Sequence, residues 1–418
     1  MKRTAATTTL PHARTRMSGF GAALLLAGLV GLPACDAASV DAGAMKAPAA
    51  ATLRVATAMP VGARSSAGAL VPPAGFVAAV GEGKARKRPC PAADARPYTE
   101  TLEFASKYEG SDKARDDLNT ESEKRYRTKT APITAFEKGV SQQVDEYMRS
   151  GSPEALSCAL GLLQQWAGAK ALLGEASNHT GKSVRKWALG SVASSYVRLK
   201  FSTSQPLADK PELSRSVESW MSNVADRVVK EWKDLPLEKV NNHEYWAAWA
   251  VMAVAVATDR RDLFDWSLKQ FDVAMTQIDV DGYLPNELKR DTRALSYHNY
   301  SLPPLTMIAA FAKANGVELR PEARAALERL TGRVMSGVAD PHEFEEKTGK
   351  KQVVADLAQA GKFTWMEPYC WTVRCTSQMQ ERRDAMRPFK NYRLGGNLTD
   401  LFNPVAGKSS SSDDKRAS

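Results

Sequence analysis

The stretch NNHEYWAAWAVMAVAVATDRRDLFDW, residues 241–266, decides the fold. Tyr245, Trp249, Met252 and Val256 recur at steps of four, three and four, the repeat of one face of an α-helix. Trp246, Ala250, Ala253 and Ala257 make the other side equally apolar. A helix that is apolar all round is buried all round. Asp259 is expected to cap the next helix, with Asp262 in its first turn. There Phe264, Leu268, Phe271, Met275 and Ile278 keep a helical rhythm. The segment DVDGYLP then breaks the chain at Gly282 and Pro285.

Similar periods recur over 134–149, 155–173, 183–199, 213–233 and 322–338, and alternating strand patterns are scarce. The expectation is an all-α domain of ten or more antiparallel helices, spanning roughly residues 70–405 without an obvious linker. A chain of 418 residues is long enough for a large core. A toroid of paired helices buries its inner helices on every side and leaves a cleft in the ring.

The ends read differently. Arg14 and Arg16 precede GFGAALLLAGLVGLPA, an apolar run shorter than the roughly 20 residues that cross a membrane. Residues 1–34 therefore read as an export signal peptide, and the expected location is the periplasm. Leu32-Pro33-Ala34-Cys35 resembles a lipobox, so a lipid anchor at Cys35 and ordinary cleavage both stay open. Residues 35–69 are Ala-rich and read as a tether, and 406–418 as a disordered tail. Beyond Cys35 an even number of cysteines remains, which favours disulfides after export. Cys370 and Cys375 can close a local loop, and Cys90 would then pair with Cys158.

Net charge is +10, and four of those charges (Lys2, Arg3, Arg14 and Arg16) belong to the leader. The remaining excess suits an anionic partner. Dense Lys/Arg blocks with interleaved aromatics are missing, so nucleic acid is set aside. No GxSxG, HExxH or DxDxDG occurs, and the cysteine spacing does not suggest zinc. No cofactor or metal is expected.

Four polar clusters stand out. Asn242 and His243 sit at the mouth of the buried helix. NELKRDTRALSYHNY, 286–300, crowds Lys289, Arg290, Arg293, Tyr297, His298 and Tyr300; if it is helical, Arg290 and Tyr297 share a face. SKYEGSDKARDDLN, 106–119, reads as a mobile loop carrying Lys107 and Tyr108. SNHTGKSVRKWALG, 177–190, places His179, Thr180, Lys182, Arg185 and Lys186 at a helix entry that would welcome carboxylates. Trp187 follows as a candidate platform for a sugar ring.

KYEGSDKARDDLN, NHTGKSVRKWALGS, the opening stretch, and GYLPNELKRDTRALSYHNYSLPPL closely resemble the periplasmic alginate lyases of polysaccharide lyase family five, the poly(β-D-mannuronate) lyases. The likeness runs from LVPPAGFVAAVGEG at residue 70 to NYRLGGNLTDLF ending at 402, while the long leader and tether depart from the family. The resemblance implies an incomplete (α/α) toroid with a deep cleft and metal-free β-elimination. Matched residue by residue, it implies Asn242 and His243 as the amide and histidine pair, Arg290 as the carboxylate-binding arginine and Tyr297 as the catalytic tyrosine. Ser106 and Lys107 match substrate-contacting positions of a lid loop, which also carries Tyr108, and His179 and Thr180 match positions at the cleft.

The chemistry explains the residue types. Elimination removes the proton on C5 beside a carboxylate, so that carboxylate must first be neutralised. A guanidinium offers it paired donors, and an amide can add one. A tyrosine works as base near neutral pH only where cations favour its phenolate, and Arg290 is the expected source, with His243 as partner or alternative base. The expected partner is alginate or polymannuronate, the expected state a monomer, and an alginate export complex a further candidate partner. Two other readings are a lyase for another uronate polymer and a non-catalytic alginate-binding subunit of an export machine. A hydrolase would want two opposed carboxylates, which none of the clusters offers.

Overall fold

The computed structural model describes residues 68–373 and 375–403. The leader, the lipobox, nearly all of the tether and the tail lie outside them.

Thirteen α-helices are present among the described residues. They are α1 (Thr120–Ser150), α2 (Pro153–Gly168), α3 (His179–Phe201), α4 (Pro211–Trp232), α5 (Asn242–Thr258), α6 (Arg261–Gln277) and α7 (Pro285–Leu288). There follow α8 (Ala294–Ala314), α9 (Pro321–Ala339), α10 (His342–Thr348), α11 (Met366–Thr372), α12 (Ser377–Met386) and α13 (Leu398–Phe402). The strands β1 (Lys390–Asn391) and β2 (Gly396–Asn397) form a small antiparallel hairpin.

Sequence sets the helix ends. Asn119, Ser152, Asn178 and Asn241 cap α1, α2, α3 and α5 through their side chains, and Pro211 and Pro321 open α4 and α9. Gly151 closes α1 at φ 69°, a conformation glycine adopts without cost.

The helices make two layers. An inner row runs α1, α3, α5, α8, α11, each packed on the next. The outer helices lie against it: α2 on α1, α4 on α3 and α5, α6 on α5 and α8, and α9 on α8. This is the incomplete (α/α) toroid that the periodicity and the resemblance imply. In α5 every residue from Glu244 to Ala257 is buried. The outer helix α4 instead buries one stripe: Val217, Trp220, Met221, Val224, Ala225 and Val228.

α8 continues through Pro303 and Pro304. Proline cannot donate to the carbonyl four residues back. The carbonyl that Pro304 leaves free belongs to Tyr300, and the Trp246 indole of α5 donates to it at 3.2 Å. The packing partner thus repairs the helix it packs on.

Both disulfides form as expected. Cys90–Cys158 ties the segment before α1 to α2, and Cys370–Cys375 closes a loop at the end of α11. Asp259 differs from expectation. It sits at φ 54° as the residue that ends α5, its Oδ1 accepts from the Leu70 amide at 2.8 Å, and Arg260 precedes α6 instead.

Candidate active site

Three inner helices bring their N-terminal ends together. His179 is the first residue of α3, Asn242 the first of α5, and Tyr297 lies in the first turn of α8. Helix N-termini carry free N–H groups and the positive end of the dipole, so their convergence favours an anion.

The α3–α5 side is built around His243. Its Nδ1 lies 3.0 Å from Lys186 Nζ and 3.1 Å from Ser183 Oγ. The Trp232 ring stacks parallel to it at 5.9 Å, and the His179 ring meets it edge-on at 4.5 Å. Lys186 Nζ stands 3.5 Å from the centre of the Trp232 ring. Burial, then the charges of Lys186, Arg290 and Arg115 and the His179 ring, hold the His243 pKa well below the usual imidazole value. His179 is pushed down to about 4 by desolvation and by Lys186, Arg115 and Lys182, although its ring is exposed at the rim. Both rings are therefore neutral at pH 7. Thr180 follows in the first turn of α3, half-buried. Trp187 lies 5.8 Å from His243, with the Arg393 guanidinium 4.7 Å from its ring.

The α8 side is built around Glu287, buried in α7. Its carboxylate accepts from the Asn242 backbone N–H at 2.6 Å and from the Asn242 amide at 3.0 and 3.1 Å. Asn242 is thus not the helix cap; Asn241 caps α5, and Asn242 is held by Glu287 with its Oδ1 buried and unpaired. Arg290 lies in the turn before α8, so it shares no helical face with Tyr297. The turn nevertheless lays its guanidinium 3.8 Å from the centre of the Tyr297 ring. Arg290 donates to the Arg115 carbonyl, while its Nε is buried without a partner. The Tyr297 hydroxyl donates to the Tyr108 hydroxyl at 3.0 Å. Burial raises the Tyr297 pKa well above its ordinary value; Arg290 opposes this, as expected, and does not overcome it. The phenol is protonated in the unliganded protein.

The 106–119 loop covers this side. Arg115 donates to Ser106 Oγ at 2.7 Å. Asp116 accepts from Thr292 Oγ1 and, through its carbonyl, from Arg293 Nε, both at 2.7 Å. Lys107 is exposed, with its Nζ 5.2 Å from the centre of the Tyr108 ring. Ser106, Tyr108, Asn242, His243, Arg290 and Tyr297 thus meet at one site, with Lys107, His179, Thr180 and Trp187 about its edge. Among the described residues no group of three or more His, Cys, Asp or Glu is placed to hold a metal ion.

A sequence profile described as "Alginate lyase" matches residues 103–344. The chain belongs to the alginate lyase family. Curated alginate lyases of Cobetia marina and Azotobacter vinelandii are each 55% identical, over 349 and 345 residues. They cover 83% and 82% of this chain, which in turn spans 93% and 92% of theirs. In fold, the chain is similar to alginate lyase A1-III bound to a tetrasaccharide, with a TM-score of 0.65 at 22% identity over 77% of this chain and 88% of that one.

Within this family member some sequence-predicted cations turn out to be structural. Arg185 is buried, pairs with Glu231 and donates to the carbonyls of Leu172 and Gly174, so it does not meet a carboxylate from solvent. His298 donates from Nδ1 to Ala294 and accepts at Nε2 from the Leu284 amide, which fixes the turn before α8. Sequence reasoning missed Glu287, Trp232, Arg115 and Arg393 as parts of the site. A lone acid inside the basic run NELKR was the available signal for Glu287. Trp232 and Arg393 arrive from the end of α4 and from the C-terminal hairpin, and no local spacing announces them.

Proposed function

We propose that this family member cleaves the β-1,4 linkages of polymannuronate in alginate by β-elimination. The observation that carries the reading is the Arg290 guanidinium laid on the Tyr297 ring, beside Asn242 and His243, where three helix N-termini converge. The relatives named alginate lyase support the substrate class.

A uronate carboxylate entering this site meets Arg290, the helix dipoles and the neutral His243 ring. Neutralising it lowers the cost of charge on C5. Tyr297 takes the C5 proton, the electron pair forms the C4–C5 double bond, and the C4–O4 bond breaks. The departing oxygen takes a proton, and the new non-reducing end is a 4-deoxy-hex-4-enuronosyl unit. In mannuronate the C5 proton and the leaving oxygen lie on one face, so a single phenol serves both. The protonated resting phenol is the form that donates, and it becomes a base only as its proton leaves toward solvent.

Location belongs to the same proposal. A leader-like N-terminus and two disulfides favour the periplasm, where the enzyme would clear polymer stranded during export. The test is incubation with polymannuronate while following ultraviolet absorbance. Absorbance from unsaturated ends is expected. Binding without any absorbance would favour the scaffold reading, and faster cleavage of polyguluronate would overturn the mannuronate preference.

A further inference from the structure

Lys186 lies two turns into α3, its side chain fully buried. No carboxylate lies within ion-pair distance of it among the described residues. Its Nζ lies against the face of Trp232 and 3.0 Å from His243 Nδ1; burial, then Arg393, presses its pKa well below the ordinary lysine value, and Glu231 and Glu244 pull it back up. To keep its proton against that burial, Lys186 needs an acceptor. A ring face supplies part of that, and a nitrogen lone pair at 3.0 Å supplies the rest.

Ser183 competes for the same nitrogen. Its hydroxyl already donates to the His179 carbonyl at 2.9 Å, four residues back in the helix. Having one proton, it can offer Nδ1 only a lone pair. Nδ1 therefore faces a choice. Protonated, it satisfies Ser183 and sets an N–H against the Lys186 ammonium. Unprotonated, it accepts from Lys186 and leaves Ser183 with the bond it already has. The second arrangement keeps the charge-assisted bond and avoids the donor–donor clash. Nε2, on the far edge of the ring, has no hydrogen-bond partner among the described residues.

We propose that Lys186 is a positioning residue that fixes His243 in the tautomer with its proton on Nε2, so that the ring meets the substrate as a donor and not as the base. The assignment rests on the reading of this site as an elimination centre, and it sharpens that reading. An Nε2–H aimed at the uronate stabilises charge as the C5 proton leaves, and proton abstraction falls to Tyr297. A neutral histidine with a free Nε2 lone pair would have been the more obvious base.

The test is nitrogen NMR of the full-length protein labelled in its histidine rings, with the His243 signals assigned by their loss in His243→Gln. The expected spectrum has a pyridine-type Nδ1 and a pyrrole-type Nε2 that do not titrate between pH 6 and 8. Lys186→Met should let the ring populate both tautomers. It should also raise the His243 pKa, since one of the cations facing it is gone while Arg290, Arg115 and the His179 ring remain. Arg393, Glu231 and Glu244 are the charged groups that face Lys186 itself. Turnover of that variant should fall about 10²–10³-fold, the usual effect of losing one donor aimed at developing charge. KM should move far less, and an acid limb should appear in its pH profile. A pyrrole-type Nδ1 in the active wild type overturns the inference and leaves the lyase reading standing, and that spectrum decides even if Lys186→Met does not fold. A protein that releases no unsaturated ends overturns the lyase reading, and with it the role given to Nε2–H.

Discussion

On one side of the site His243 is held by Ser183, Lys186 and Trp232, all borne on α3 and α4; on the other, Tyr108 and Arg115 reach Tyr297 and Arg290 from a loop. On the first side Ser183, Lys186 and Trp232 are buried on helices that pack on one another. The second is closed by hydrogen bonds between exposed or half-buried groups, such as Asp116 on Thr292 and Arg115 on Ser106. Burial acts on both sides and in opposite senses, lowering His243 and raising Tyr297, so both are neutral at rest. The helical wall thus sets the chemistry of its groups in advance. The loop side keeps its groups half-buried and turns Lys107 to solvent.

The comparison breaks most sharply at the two candidate bases. Tyr297→Phe removes one hydroxyl and keeps the ring under Arg290. Turnover should drop by at least the roughly 10²–10⁴-fold typical of lost acid–base help, with binding retained. In the wild type kcat/KM should climb with pH through 7 to 9. The phenol pKa is raised, so the fraction ready to accept a proton still grows there, while both cleft histidines have already lost theirs. Near-normal turnover by a folded Tyr297→Phe, or a profile flat across that range, would move the base to the His243 side.

How much of this was legible in the sequence follows the same division. The apolar period of 245–257 announced a helix buried on all sides, and α5 is one. The clusters at 178, 242 and 290–297 announced polar groups at helix entries, because capping and turn residues act locally. Arg290 and Tyr297 do meet, yet through a turn and not along a shared helical face. What stayed hidden depends on distant contacts. Trp232 under Lys186 and Arg393 beside Trp187 join segments far apart in the chain, and nothing in a period of 3.6 encodes which outer helix covers which inner one.

Glu287 offers an intermediate effect, since it fastens the wall to the loop side. Its carboxylate is the acceptor for both nitrogens of Asn242. Glu287→Gln sets an amide N–H against one of those donors. Leaving a buried donor unpaired costs about 1–3 kcal/mol. A urea melt should show a loss of that size, accompanied by reduced turnover as Asn242 turns. An unchanged midpoint would mean that Asn242 finds another acceptor, and that the two sides are less firmly tied than the hydrogen bonds indicate.

The smallest effect belongs to the exposed end of the loop. Lys107 touches no carboxylate among the described residues and lies near the Tyr108 ring, so removing it should cost the fold nothing measurable. Its use is to a polyanion arriving from solvent. A cation at the rim raises the local concentration of substrate, and that attraction fades as salt shortens its reach to about 10 Å at 0.1 M. Lys107→Ala should therefore lower kcat/KM on polymer by about tenfold or less at low ionic strength. The gap between variant and wild type should narrow as salt is added, because the wild type loses what the variant already lacks. A direct bond from Lys107 to the sugar at the moment of reaction would behave otherwise: the loss would appear in kcat and persist at high salt. That outcome would give the loop a chemical part and remove the distinction between a wall that reacts and a rim that guides.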